Sequence, residues 1–255
     1  MINPLDFPLL VFALSLFVLW ISARTGATLL SRLRTLPEDN RDDIGIVLAA
    51  SLTLLGLIIG FTFSMGVSRY DQRKNYEEAE ANAIGTEYLR AGLLSAADAA
   101  KVRALLRNYL VQRVAFYTTR DEQQIRQINV RTAQLQEALW SAVTAPAAAQ
   151  PTPVVALDVS GMNDVLNSQG YTQAAWWNRI PIAAWALMAA IAVCCNQFVG
   201  YGARKAKANG TLFLILPFVV SVSFFLIADI DSPSGGIIRV HPQNLESLAE
   251  SLPAR

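Results

Sequence analysis

The chain has 255 residues, of which 53% are apolar and 16% charged, with a formal net charge of +1. So even a balance excludes nucleic acid as a partner, because a phosphate backbone needs a concentrated basic patch. The apolar residues gather into four blocks, and a bilayer core asks for about 20 apolar residues per helix.

The first block runs from Phe7 to Ile21 and lengthens if Leu5, Ser22 and Ala23 count. A signal peptide is disfavoured, because residues 1–6 hold Asp6 and no Lys or Arg. A loop over about 24–43 follows, with Arg24, Arg32, Arg34 and Arg41 set against Glu38, Asp39, Asp42 and Asp43.

The second block, Ile44 to Val67, passes straight into charged sequence. The stretch "GFTFSMGVSRYDQR", residues 60–73, contains no proline and no asparagine-glycine turn, which predicts one helix continuing out of the membrane. At about 100° per residue, Gly45, Ala49, Thr53, Gly56, Gly60, Ser64 and Val67 fall in one sector, and the stripe continues into Asp71, Asn75 and Glu78. Leu48, Leu55, Ile59 and Met65 lie mostly elsewhere. Two readings follow. "GLIIG" is a G-x-x-x-G pair, Gly56 and Gly60, whose small residues let helices pack closely. The same stripe also suits a pore wall of small, hydroxyl and apolar residues.

A polar insert runs from about Ser68 to Asn178 and reads as mostly helical. Val102, Leu105, Leu106, Tyr109, Leu110 and Val114 recur at the i, i+3, i+4, i+7 spacing of an amphipathic helix. A third insert helix is expected through Ile125, Ile128, Leu135 and Leu139. "APAAAQPTP", residues 145–153, is expected to be a linker without regular structure. A last short helix is expected to hold Val159, Met162, Val165 and Leu166. The glutamate-rich "EEAEANAIGTE" is read as a solvated helix face, since no histidine accompanies it as a metal ligand.

The third block runs from Ile180 to Val199, with Pro181 at its start, where a missing N–H costs nothing. Its vicinal Cys194 and Cys195 are expected to pack as small apolar residues. Asn196 and Gln197 are expected to hydrogen-bond between helices. A short loop, "YGARKAKANG", leads to the fourth block, Leu212 to Ile230, in which Pro217 predicts a kink. Asp229 and Asp231 at its end suit an acidic, cation-attracting mouth. The alternatives are two solvated residues or a salt bridge to Arg69 or Arg179. His241 has no partner for a metal site, and no catalytic constellation or cofactor motif occurs.

These features predict an all-α integral membrane protein with four transmembrane helices and a helical extramembrane domain between the second and third. The segments are 1–67, 68–178, 179–232 and a tail, 233–255. The Lys/Arg count, with Arg24, Arg32, Arg34, Arg41, Arg204, Lys205 and Lys207 in the short loops, leans towards a cytoplasmic side for those loops.

"GLIIGFTFSMGVSRYDQRKNYEEAEANAIGTEYLRAGLL", "WNRIPIAAW" and "ADIDSPSGGIIRV" resemble the bacterial bestrophin-like family over nearly the whole chain after the first span. "GFTFSMGVSRYDQR" is similar to a bestrophin pattern, G-F-Y-V-T-L-V-V-S-R-W-W-N-Q, at Gly60, Phe61, Ser68 and Arg69, with the aromatic Tyr70 next. The resemblance implies an ion channel, a pentamer in the bacterial inner membrane, and a narrow neck at Thr53, Leu57 and Phe61. Thr53 stands where bestrophins have an aliphatic residue, and Leu54 where they have proline. The resemblance also implies a cytoplasmic insert, opposite to the Lys/Arg count. The acidic calcium clasp of animal bestrophins has no counterpart, so no calcium gating and no cofactor are expected. The predicted pore lining is Thr53, Leu57, Phe61 and Ser64. The expected partners are inorganic ions, membrane lipid and further copies of the chain. The alternative is a non-conducting, membrane-anchored sensor or scaffold acting through the insert.

Overall fold

A computed structural model describes residues 4–30, 40–203 and 212–253. Most of the cations behind the Lys/Arg asymmetry, Arg32, Arg34, Arg204, Lys205 and Lys207, lie outside the described residues. The described secondary structure is entirely helical: α1 (Pro8–Thr25), a π turn (Gly26–Leu30), α2 (Asn40–Arg90), α3 (Ala96–Thr118), α4 (Glu122–Ala149), α5 (Pro153–Trp177), α6 (Ile182–Ala203), α7 (Leu212–Asp231) and α8 (Gln243–Ser251). Short 3-10 turns occur at Pro4–Asp6 and Ala91–Leu93. Four stretches among the described residues are long and apolar enough to cross a membrane.

With no helix-breaking residue between "GFTF" and "YDQR", α2 runs unbroken for 51 residues, about 75 Å at the α-helical rise. It contributes to two compact units: residues up to Arg69 with Arg179–Arg239, and Tyr70–Asn178 with Val240–Arg255. The C-terminal tail is thus divided between them at Arg239.

The first unit is the membrane unit. Leu19 of α1, Leu55 of α2, Trp185, Met188, Ala192 and Cys195 of α6, and Val220, Phe224, Ile227 and Ala228 of α7 form its core. Phe12 meets Phe218 and Phe225 edge-on at 6.1 and 6.3 Å. Glycine lets the backbones of α1 and α6 touch: a Cβ at Gly200 would strike Ala23 O, and one at Gly26 would strike Gln197 O. Ser22 Oγ strengthens that seam by donating to Val193 O at 2.7 Å. Outside this core, Leu9, Phe17, Phe61, Ile182 and Ile215 are all more than half exposed. An apolar surface of that extent suits lipid rather than water. Asn196 does not bond between helices through its amide NH2, which donates to Ala192 O one turn back at 2.8 Å. In a helix the nearest acceptor for a short polar side chain is its own preceding turn.

The second unit is a bundle of the outer part of α2 with α3, α4, α5 and α8. The amphipathic positions read from the sequence form its interior: Val102, Leu106, Tyr109 and Leu110 of α3, Leu135 and Leu139 of α4, Met162 and Val165 of α5. Its helices start where capping chemistry places them. Ser95 accepts from Asp98 N, Asp121 from Gln123 N and Gln124 N, and Thr152 from Val155 N, with Pro153 opening α5. The linker expected over 145–153 shrinks to Gln150–Thr152, because α4 runs through Pro146 to Ala149. The flanking alanines favour helix strongly enough to absorb one lost bond in the last turns. The expected short last helix is the 25-residue α5.

Gly200→Ala should lower stability by about 1–3 kcal/mol, because the obstructing atom is backbone and cannot turn aside. Gly170→Ala, where the added Cβ meets nothing within 4 Å on exposed α5, should raise it by about 0.5–1 kcal/mol. Thermal melts of the two variants in detergent check the contrast.

Candidate functional site

The membrane part of α2 presents two unlike faces. Leu55, Thr62 and Gly66 are buried, with Leu48, Leu52, Ile58 and Ile59 half-buried beside them. Thr62 Oγ1 is satisfied by Ile58 O at 2.8 Å. About half a turn away lie Thr53, Gly60, Phe61 and Ser64, all exposed, with Leu57 and Gly56 between and beside them. Thr53, Leu57 and Phe61 stand one turn apart, so their side chains form a single column. Leu57 is 54% and Phe61 64% exposed.

The glycines on this face have no neighbour from another element among the described residues. A Cβ at Gly45, Gly56 or Gly60 would meet nothing within 4 Å. No described residue of another element therefore packs on the G-x-x-x-G pair. Thr53 Oγ1 donates to Ala49 O at 2.9 Å, which removes the cost of an unmade bond on an apolar surface.

Asp229 and Asp231 are both 1% exposed and turned into the chain. Asp231 accepts from Arg179 Nε at 2.9 Å and from Ile180 N at 3.2 Å, and lies 3.9 Å from Arg69 Nη1. Arg179 also donates to Asp6 Oδ1 at 2.6 Å. Asp229 accepts from Ile237 N at 2.7 Å and Ile238 N at 2.8 Å, closing the turn after α7. That turn needs glycine, since a Cβ at Gly236 would meet Asp229 O and one at Gly235 would meet Asp6 O. The salt bridge to Arg179 and Arg69, named as an alternative to an acidic mouth, is the geometry observed. Sequence reasoning missed Asp6, whose only local signal was an acid at the threshold of an apolar block.

In the insert, the glutamates read as a solvated face are largely buried. Arg73, Glu77, Glu80 and Glu87 are each 2% exposed or less. Arg73 Nε donates to Ala175 O at 3.3 Å. Glu77 accepts from Asn244 N, Asn244 Nδ2 and Leu245 N, and so caps α8. Glu80 forms an ion pair with Arg113 and accepts from Thr172 Oγ1 at 3.3 Å. The Arg113 guanidinium also lies 4.6 Å over the Phe116 ring. Their i, i+4, i+7 spacing with Ile84 was the available signal, masked by their charge. Asp71, Asn75 and Glu78 of the predicted stripe are exposed.

The Bestrophin-like domain family matches residues 10–245, most of the chain. The chain belongs to the Bestrophin-like family. Its fold is similar to the crystal structure of a bacterial bestrophin homologue from Klebsiella pneumoniae, with 12% identity, TM-score 0.62, and coverage of 96% of this chain and 99% of that one. A leucine-to-threonine variant of that homologue gives 12% identity and TM-score 0.63, covering 95% and 96%. A tryptophan-to-alanine variant gives 11% and 0.62, covering 94% and 97%. No curated protein matches the sequence.

In this Bestrophin-like chain the charged junction of Asp6, Arg179 and Asp231 ties the N-terminal turn to the start of α6 and the end of α7. Asp231→Ala leaves Arg179 with one carboxylate and Ile180 N without an acceptor. The loss should be about 3 kcal/mol, read as a lowered melting temperature in detergent.

Proposed function

We propose that this Bestrophin-like protein is a homo-oligomeric ion channel rather than an enzyme, with the membrane part of α2 from each copy lining the pore. The observation that carries the reading is the face of α2 opposite its own core. It holds glycines with no neighbour within 4 Å, flanking a column of Thr53, Leu57 and Phe61 with Ser64 beyond. A helix facing only lipid gains nothing from a stripe of Gly, Thr and Ser. A helix facing its own copies gains close approach at Gly56 and Gly60 and a mildly polar lumen.

In this arrangement Leu57 and Phe61 form rings that narrow the lumen. Apolar rings at a constriction block ions by dewetting, so small changes in radius switch conduction. Ser64 beyond them offers a hydroxyl that replaces part of an ion's hydration shell, and Thr53, its own hydroxyl bonded to Ala49 O, adds a small side chain on the other side. Family resemblance supports five copies, in the inner membrane of a bacterium, with the permeant inorganic ions and surrounding lipid as partners. Asp229 and Asp231 are assigned no part in selectivity, because both carboxylates are bonded within the chain.

The second reading is a non-conducting sensor or scaffold. It draws support from the insert, whose own core of buried residues makes it a folded domain in its own right. Stoichiometry separates the two, since a ring of five favours the channel and a monomer or dimer the module.

Phe61→Ala should raise unit conductance and alter permeability ratios in planar-bilayer recordings under a salt gradient. Unchanged conductance and selectivity would remove Phe61 from the neck. Silence of intact oligomers in both orientations would favour the sensor.

A further inference from the structure

Glu87 of α2 and Asp158 of α5 are both wholly buried, and among the described residues neither carboxyl accepts a hydrogen bond. The two carboxyls are electrostatic neighbours: Glu87 Oε2 lies at Gly161 of α5, three residues from Asp158, and each raises the cost of charging the other. Two carboxylates cannot hydrogen-bond unless one of them carries a proton. Gly161, less than one turn along α5 from Asp158, makes the site tight: a Cβ there would strike Glu87 Oε2 and the Arg90 side chain. The Glu87 carboxyl therefore lies against the backbone of α5.

The charges around the pair do not neutralise two anions. Among the described residues Arg90 of α2 is the cation that acts on both, and it also pairs with the exposed Asp164 of α5 at 3.9 Å. Arg103 of α3 is engaged elsewhere, donating to Tyr88 O at 3.1 Å and lying over the Tyr88 ring. Among the described residues, two buried carboxyls and the exposed Asp164 thus share the Arg90 guanidinium. Among the described residues no three acidic, sulfur or imidazole ligands group to hold a metal ion. A proton is the occupant that fits.

We propose that Glu87 and Asp158 form a shared-proton latch, which holds α5 on the outer part of α2 and is released by alkalinisation of the compartment bathing the insert. Burial, then the neighbouring Asp158, pushes the Glu87 carboxyl from its ordinary 4.5 up to about 9, and burial raises Asp158 as well. The folded insert keeps a proton that the unfolded chain releases, so its stability falls as pH rises from about 4.5 to about 9. When the proton leaves, two buried anions face each other against a backbone with no room to separate them. The strain relaxes by moving α5 off α2. The latch does not depend on whether the protein conducts ions.

The test uses the full chain in detergent micelles. Infrared titration should reveal a carboxylic-acid C=O band at neutral pH, lost with a midpoint near pH 9. The band should be missing in Glu87→Gln, and its midpoint should fall in Asp158→Asn. Hydrogen exchange of α5 amides, corrected for intrinsic rates, should accelerate several-fold over the same pH range in the wild type and stay flat in Glu87→Gln. Absence of the band at neutral pH, or its persistence in Glu87→Gln, would overturn the shared proton. A titrating band with unchanged α5 exchange would overturn the latch.

Discussion

Helix α2 carries Arg73, Glu77, Glu80 and Glu87 into the interior of the insert, and each must replace the water it loses there. An unpaired buried charge costs several kcal/mol, far more than one helix gains from its intrinsic propensity. Each of these residues therefore dictates what packs on it. Glu80 requires Arg113 from α3, and Glu77 requires the N-terminus of α8. Arg73 bonds the last turns of α5 at Ala175 O. The hydrophobic positions of α3, α4 and α5 fill the space between, but apolar burial is non-directional. The charge pairs are what specify which helix meets which stretch of α2.

The membrane unit obeys the same requirement at its boundary and the opposite one inside. Within the spans, contact is made by glycine and by van der Waals packing, as at Gly26 and Gly200, because lipid tails give no net hydrophobic force between helices. Several polar groups there bond their own preceding turn, as Thr53, Thr62 and the Asn196 amide NH2 do, while Ser22 bonds across to α6. At the ends of the spans, Asp6, Arg179 and Asp231 gather charge and hold it in pairs. The face of α2 carrying Thr53, Gly56, Leu57, Gly60, Phe61 and Ser64 stands outside this scheme. No part of the described chain covers it.

The fold class and the four spans were legible because hydropathy adds up along contiguous residues. The continuity of α2 was legible because nothing between Gly60 and Arg73 breaks a helix. The exposed face of α2 was visible as a stripe of small residues, although periodicity could not say whether the stripe was covered. The error over "APAAAQPTP" came from reading prolines as breaks without weighing four neighbouring alanines. The error over the glutamates came from treating charge as a sign of exposure.

By itself the sequence determined that this protein is helical, crosses a membrane and has an amphipathic insert, since each of these follows from residues near one another. It also carried the family resemblance, through motifs that are contiguous. Tertiary structure alone decided which charges meet. Asp6 and Arg179 lie 173 positions apart, and Glu77 and Asn244 lie 167 apart. Such pairs leave no periodic trace, because the partner of a buried charge is chosen by the path of the whole chain. The same holds for Glu87 and Asp158, two unremarkable acids in sequence that become a proton site only when two helices bring them together in the absence of water.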